Sequence, residues 1–201
     1  MKYTELNEAA QAKAFDTFQS YVDDFEWAES LLGDWIEKLL EVGIITTREG
    51  IQWSGFWSQG DGASFTGEIY LRKFLESHPD LRLAHRELYM STVPIGNEGA
   101  ACEYCPVITR HRHNYSHENT VHIGECQVEV MWDYELEELE ELQTHYHELF
   151  TAAEEDIEEK CRYYMRELYS DLSDEYECQT GMAAFLEIAP FQDYNEQGGL
   201  E

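Results

Sequence analysis

Residue types able to do chemistry gather in three places along the chain. Cys102 and Cys105 form a Cys-x-x-Cys pair, and His111, His113, His117 and His122 follow it closely. Thiolate and imidazole are zinc's usual ligands, and the cysteine spacing suits half of a structural site, but the histidines do not supply a standard second half. Two readings stay open: reduced cysteines beside strand histidines, which we adopt, and a metal held by Cys102 and Cys105. A redox dithiol lacks the β-α-β context such a motif needs. Under the adopted reading the purified protein holds less than about one zinc per chain. The second place pairs His117 and Glu118 on a connection between strands, with Asp61 on a glycine-rich loop; these are the groups a general acid-base reaction would use. The blander reading has Asp61 capping its own turn and His117 bonding a loop carbonyl. The third place is Glu154, Glu155, Glu158 and Glu159, four carboxylates within six residues. No P-loop, Gly-x-Ser-x-Gly elbow, His-Glu-x-x-His or dinucleotide fingerprint occurs, so no catalytic residue and no cofactor is nominated.

The element positioning the second group is Ile51 to Tyr70, IQWSGFWSQGDGASFTGEIY. Ile51, Trp53 and Gly55 alternate with Gln52 and Ser54, and Phe65, Gly67 and Ile69 with Ser64, Thr66 and Glu68, the period of two half-buried strands. Ser58-Gln59-Gly60-Asp61-Gly62 joins them as a hairpin loop, in which Gly60 and Gly62 are expected to take positive φ. Gly55 and Gly67 imply a bulge or a close backbone approach. Of the aromatics Trp53, Phe56 and Trp57, at least one is expected to face solvent or a partner. Trp57, Ser58, Gln59, Asp61, Tyr115 and His117 are the binding candidates of this region.

SGFWSQGDGASFTGEI, Ser54 to Ile69, resembles a motif of a family of bacteriophage proteins, mostly hypothetical and sometimes labelled antitoxin of a toxin-antitoxin stability system. Tyr3 to Phe18 is similar to that family's opening helix, Tyr115-Ser116-His117-Glu118-Asn119 to a Tyr-x-His-Glu segment, and Met165 to Tyr176 to its closing helix. The resemblance implies a phage origin and a neutralising role. It carries no catalytic residues.

With 43% hydrophobic and 13% aromatic residues in 201, the chain can bury a core and reads as one domain, residues 1 to 201. Its formal charge is −29, from 42 acidic and 13 basic side chains, which argues against direct binding of nucleic acid or an anionic membrane. The charge is uneven. Asp133 to Glu201 carries 21 acidic against 3 basic side chains, a net of −18. That pole is either a solvated helical face or a surface imitating the phosphates of a nucleic acid. Five cysteines make no even disulfide framework and Met1 to Gln11 is not a secretory leader, so a reducing cytoplasm, that of the host cell, is expected. No apolar run approaches the roughly 20 residues of a membrane span.

Elsewhere the periodicity predicts a helix opening at Thr4, a second from about Asp24 to Glu41 stopped by Gly43, and short helices over Leu71 to Ser77 and Leu81 to Met90. Val93 to Cys105 reads as a loop, and Val107 to Tyr115 and Thr120 to Met131 as a second strand pair. Asp133 to Thr180 holds neither glycine nor proline and repeats apolar residues at three and four, a long helix with a break expected near Thr151. The fold class is therefore α+β: a small antiparallel sheet with at least two hairpins, packed against the N-terminal helices and a long acidic C-terminal helix or helix pair. The functional expectation is an acidic accessory protein, not an enzyme, that blocks a host or toxin protein with a basic surface; homo-oligomers are compatible with it. Glutamine at 154, 155, 158 and 159 should keep the helix and weaken the complex. The alternative is a small enzyme or a metal- or ligand-binding protein with its site at the 58 to 62 loop and the 115 to 119 connection.

Overall fold

The computed structural model describes residues 1–23, 27–56, 58–92, 102–104, 106–111, 116–124, 128–130 and 136–200. They form an α+β protein whose contacts group into two compact units, Gly33–Tyr169 and a second made of Met1–Leu32 with Ser170–Glu201.

The larger unit is built on strands. β1 (Ile44–Ile45), β4 (Gly67–Ile69), β6 (Val107–Arg110) and β7 (Val121–Gly124) make an antiparallel sheet in the order β1-β4-β6-β7. β2 (Ile51–Ser54) and β3 (Gly62–Phe65) form the hairpin that the alternation predicts, with Ile51 opposite Phe65 and Ser54 opposite Gly62. The second half of the motif is not one strand, however. It divides at Thr66, whose N–H donates to Gly50 O at 3.0 Å, and the three residues after it join the main sheet. Gly67 permits this, because a Cβ there would lie 2.1 Å from Ile45 O; the close approach that a strand glycine implies is real. Arg110 of β6 reaches the hairpin, donating to Ser64 Oγ at 3.1 Å and to the Ser64 and Gly50 carbonyls.

Helices α2 (Glu29–Glu41), α3 (Leu71–Ser77), α4 (Pro79–Ala84), α5 (Arg86–Ser91), α6 (Leu136–Thr151) and α7 (Glu154–Thr180) supply the remaining apolar surface. Gly43 ends the turn after α2 with φ +90, where a Cβ would meet Phe74 N at 2.7 Å. The long C-terminal helix breaks at Ala152-Ala153, one residue past the predicted place, and Ala153, Ile157, Cys161, Met165 and Leu168 then form the buried stripe of α7. The segment predicted as a loop over 93 to 105 contains a strand, β5 (Cys102–Tyr104), paired antiparallel with β8 (Val128–Val130). Three residues with no apolar period are too few to announce a strand; the pairing partner makes it one.

In the other unit α1 (Glu8–Asp23) is capped by Asn7, whose Oδ1 accepts from Ala10 N at 3.0 Å; the opening around Thr4 is a short 3-10 turn instead. Within this unit α1 has apolar partners far along the chain. Leu6, Ala10 and Ala14 pack with Phe185 of α8 (Met182–Ile188), Ala189 and Tyr194, and the Tyr3 and Phe15 rings meet Phe185 at 4.9 and 5.5 Å. Among the described residues no helix is long and apolar enough to cross a membrane.

Candidate functional site

Two polar groupings lie in the larger unit. The first is the hairpin loop. Asp61 Oδ2 accepts from Ser58 N at 2.5 Å, and the Asp61 N–H donates to Ser58 O at 3.1 Å. Gly60 has φ +100, as predicted, and Gly55 has φ +41, with its missing Cβ position 2.5 Å from Asp61 Oδ2. Gly62 does not have positive φ. It is a glycine for a different reason, because a Cβ would stand 2.9 Å from His117 Cα. Folding thus brings the 58–62 loop against the 116–119 connection. Tyr169 of α7 closes the loop from one side: its hydroxyl donates to Gly55 O at 3.2 Å and its ring stacks on Phe56 at 5.5 Å. Burial, and then the Asp61 carboxylate, pushes the Tyr169 phenol above its ordinary pKa.

His117 organises its own turn. Its Nδ1 accepts from Asn119 N at 3.2 Å, and its carbonyl accepts from Thr120 N and Thr120 Oγ1 at 2.9 and 2.7 Å. Glu118 Oε2 is 3.0 Å from the same Nδ1. Nδ1 thus meets a backbone N–H and a carboxylate at once, and the tautomer of the ring decides which of the two contacts is made. Ser58 and Gln59 are exposed. Cys102 begins β5, opposite Val130. Trp57, Cys105, His113 and Tyr115 lie outside the described residues.

The second grouping joins the edge strand β7 to α7. The four glutamates that the sequence offers as one acidic patch do not share a role. Glu155 and Glu159 are exposed, whereas Glu154 and Glu158, one helical turn apart, face β7. The Glu158 side chain is 12% exposed. Its Oε2 accepts from the Ile123 backbone N–H at 3.1 Å and sits 3.0 Å from His122 Nδ1, while Oε1 takes Arg162. An edge strand presents unpaired N–H groups, and this carboxylate occupies one of them. His122 Nε2 lies 3.6 Å from Glu154 Oε1, and the His111 ring stacks on His122 at 5.2 Å. The donor atoms of His122, Glu154 and Glu158 all fall within 4.8 Å of one another, the one grouping of metal-ligating side chains among the described residues. Farther along, Asp156 meets His85 at 2.7 Å and Arg166 meets Glu159 at 2.7 Å.

His122 enters the sequence reading only as one of four histidines after the cysteine pair, not as a partner of the acidic helix. Its signal was its position on a strand next to Ile123, whose apolar side chain must face the core and so turns His122 outward. The inward use of Glu154 and Glu158 was legible only in their spacing to Arg162 and to the buried Ile157 and Cys161.

No curated protein matches the chain, and no solved structure does. A family model described as a domain of unknown function, DUF8835, matches residues 27–181. That span contains both polar groupings and leaves out α1 and α8. The chain belongs to the DUF8835 family.

Proposed function

We propose that this protein is a phage-encoded binding protein that acts in the host cytoplasm by occupying a basic surface on a host or toxin protein. The observation that carries the reading is the outward face of α7, where Glu155, Asp156, Glu159 and Glu167 are exposed in a segment whose charge is strongly negative. A lysine- or arginine-rich partner gains both steering and complementarity from such a face, and nucleic acid competes for the same partner. Glu158 is left out of the binding face because its side chain is only 12% exposed and turned toward β7.

The test is affinity capture from host lysate with the parent chain and with a Glu155→Gln, Asp156→Asn, Glu159→Gln, Glu167→Gln variant. The captured protein should be basic and displaced by duplex DNA. It should be lost at raised salt, where exposed charges are screened over less than about 10 Å. Its retention by the variant with unchanged salt dependence refutes the reading and moves recognition to the aromatic hairpin loop, where Ser58, Gln59 and Trp57 become the residues to replace.

A further inference from the structure

We propose that His122 and Glu154 form a binding site for a zinc-class divalent cation, with Glu158 as the positioning residue that fixes the imidazole. The argument begins with Glu158. Its Oε2 accepts from Ile123 N–H at 3.1 Å and its Oε1 from Arg162, so the carboxylate acts as an acceptor toward everything around it. The 3.0 Å contact from His122 Nδ1 to Oε2 then requires the proton on Nδ1. The other ring nitrogen, Nε2, which carries the lone pair whenever the ring is neutral, lies 3.6 Å from Glu154 Oε1. The donor atoms of His122, Glu154 and Glu158 lie within 4.8 Å of one another, and a cation seated between Nε2 and Oε1 would take a lone pair from each.

The spacing fits a metal. Zinc bonds imidazole nitrogen and carboxylate oxygen at about 2.0–2.2 Å, and two such bonds closing a 3.6 Å gap subtend roughly 110–130°, from the tetrahedral angle upward. A carboxylate holding the far nitrogen of a ligating histidine is the usual support for such a ligand, and Glu158 supplies it before any metal arrives. An imidazole with one carboxylate selects zinc, cobalt or nickel over calcium or magnesium. With two protein ligands the site is open, and water completes the coordination. It uses neither Cys102 nor Cys105 as a ligand and is independent of the proposed partner binding.

The experiment titrates zinc alone into the full chain carrying Cys102→Ser and Cys105→Ser, which removes thiol ligation. Calorimetry in the presence of a competing chelator should give one saturable equivalent. Glu154→Gln and, separately, His122→Gln should each weaken it at least about tenfold, and Glu158→Gln by about 10- to 100-fold through loss of ring orientation. Cobalt bound in place of zinc should show ligand-field bands and no thiolate charge-transfer band. Nitrogen NMR of the histidine rings reads the same site without a ligand substitution: one equivalent of zinc should shift Nε2 of His122 and leave Nδ1 protonated. The proposal is overturned by a His122 spectrum indifferent to zinc, or by saturable binding that Glu154→Gln leaves unchanged.

Discussion

Removing Glu158 tests whether the acidic helix is merely a solvated face. In Glu158→Ala the Ile123 N–H at the sheet edge loses its acceptor and Arg162 loses its nearer carboxylate, keeping Glu159 at 4.0 Å, while the helix gains a residue of higher intrinsic propensity. An orphaned backbone donor costs about 1–3 kcal/mol. Breaking a fully buried ion pair costs about 3–5 kcal/mol, and the 25% and 12% exposure of Arg162 and Glu158 places this one below that range. The expected loss is about 3 kcal/mol for alanine and about 1–2 kcal/mol for glutamine, which keeps an oxygen for Ile123 but no charge. Urea unfolding of the two variants, with Arg162→Met closing a double-mutant cycle, measures both the total and the pair. Hydrogen exchange at the Ile123 amide should accelerate in Glu158→Ala. A change under about 0.5 kcal/mol, with the Ile123 amide still protected, refutes the reasoning and returns Glu158 to the ordinary surface ion pairs.

Three further outcomes follow from the packing. Gly67→Ala puts a methyl 2.1 Å from Ile45 O inside the main sheet, so thermal unfolding should show a loss of about 2–4 kcal/mol; a neutral effect would mean that β1 and β4 are not paired as described. Burial holds the His78 imidazole below its ordinary value of 6.5, with Nδ1–H donating to Phe74 O and Tyr164 hydroxyl donating to Nε2. The unfolded chain then takes up that proton first, so stability is full above 6.5 and is lost as pH falls below it, and His78→Gln should flatten the decline seen in denaturation below 6.5. Cys161 is fully buried with its thiol pushed far up by desolvation, whereas Cys178 is exposed; peptide mapping after native alkylation should find label on Cys178 and none on Cys161.

The hairpin was legible because its signal is local: alternation from Ile51, a Gly-Asp-Gly loop, and strand glycines that only close neighbours explain. The break after Thr151 was equally readable, since a helix running on would outgrow so small a fold. What the sequence hid was every decision made by distant partners. Gly62 looks like a turn glycine until His117 is seen against it. Glu158 looks like its neighbour Glu159 until Ile123 and Arg162 are placed beside it. β5 exists because Val128–Val130 pairs with it, and no window around Cys102 contains that strand. The division of the chain into two units depends likewise on α1 choosing α8, a pairing across most of the sequence that no local pattern encodes.

The smaller unit joins the two ends of the chain: the Met1 amine donates to Tyr194 O at 2.9 Å, the Tyr194 N–H donates to Met1 O at 2.9 Å, and Gly198 packs on Ala10 O. On the ribosome this sets an order of events. The larger unit is continuous in sequence and can close as soon as Tyr169 has cleared the exit tunnel, but α1, made before it, must wait for Phe185, Ala189 and Tyr194, made after it. Until those residues emerge the Leu6, Ala10 and Ala14 face of α1 lacks the apolar partners it has in the folded protein, which exposes it to chaperones and proteases in the nascent chain. Synthesis that stalls before Phe185 would leave a product with its family domain nearly whole and its first helix permanently unmatched.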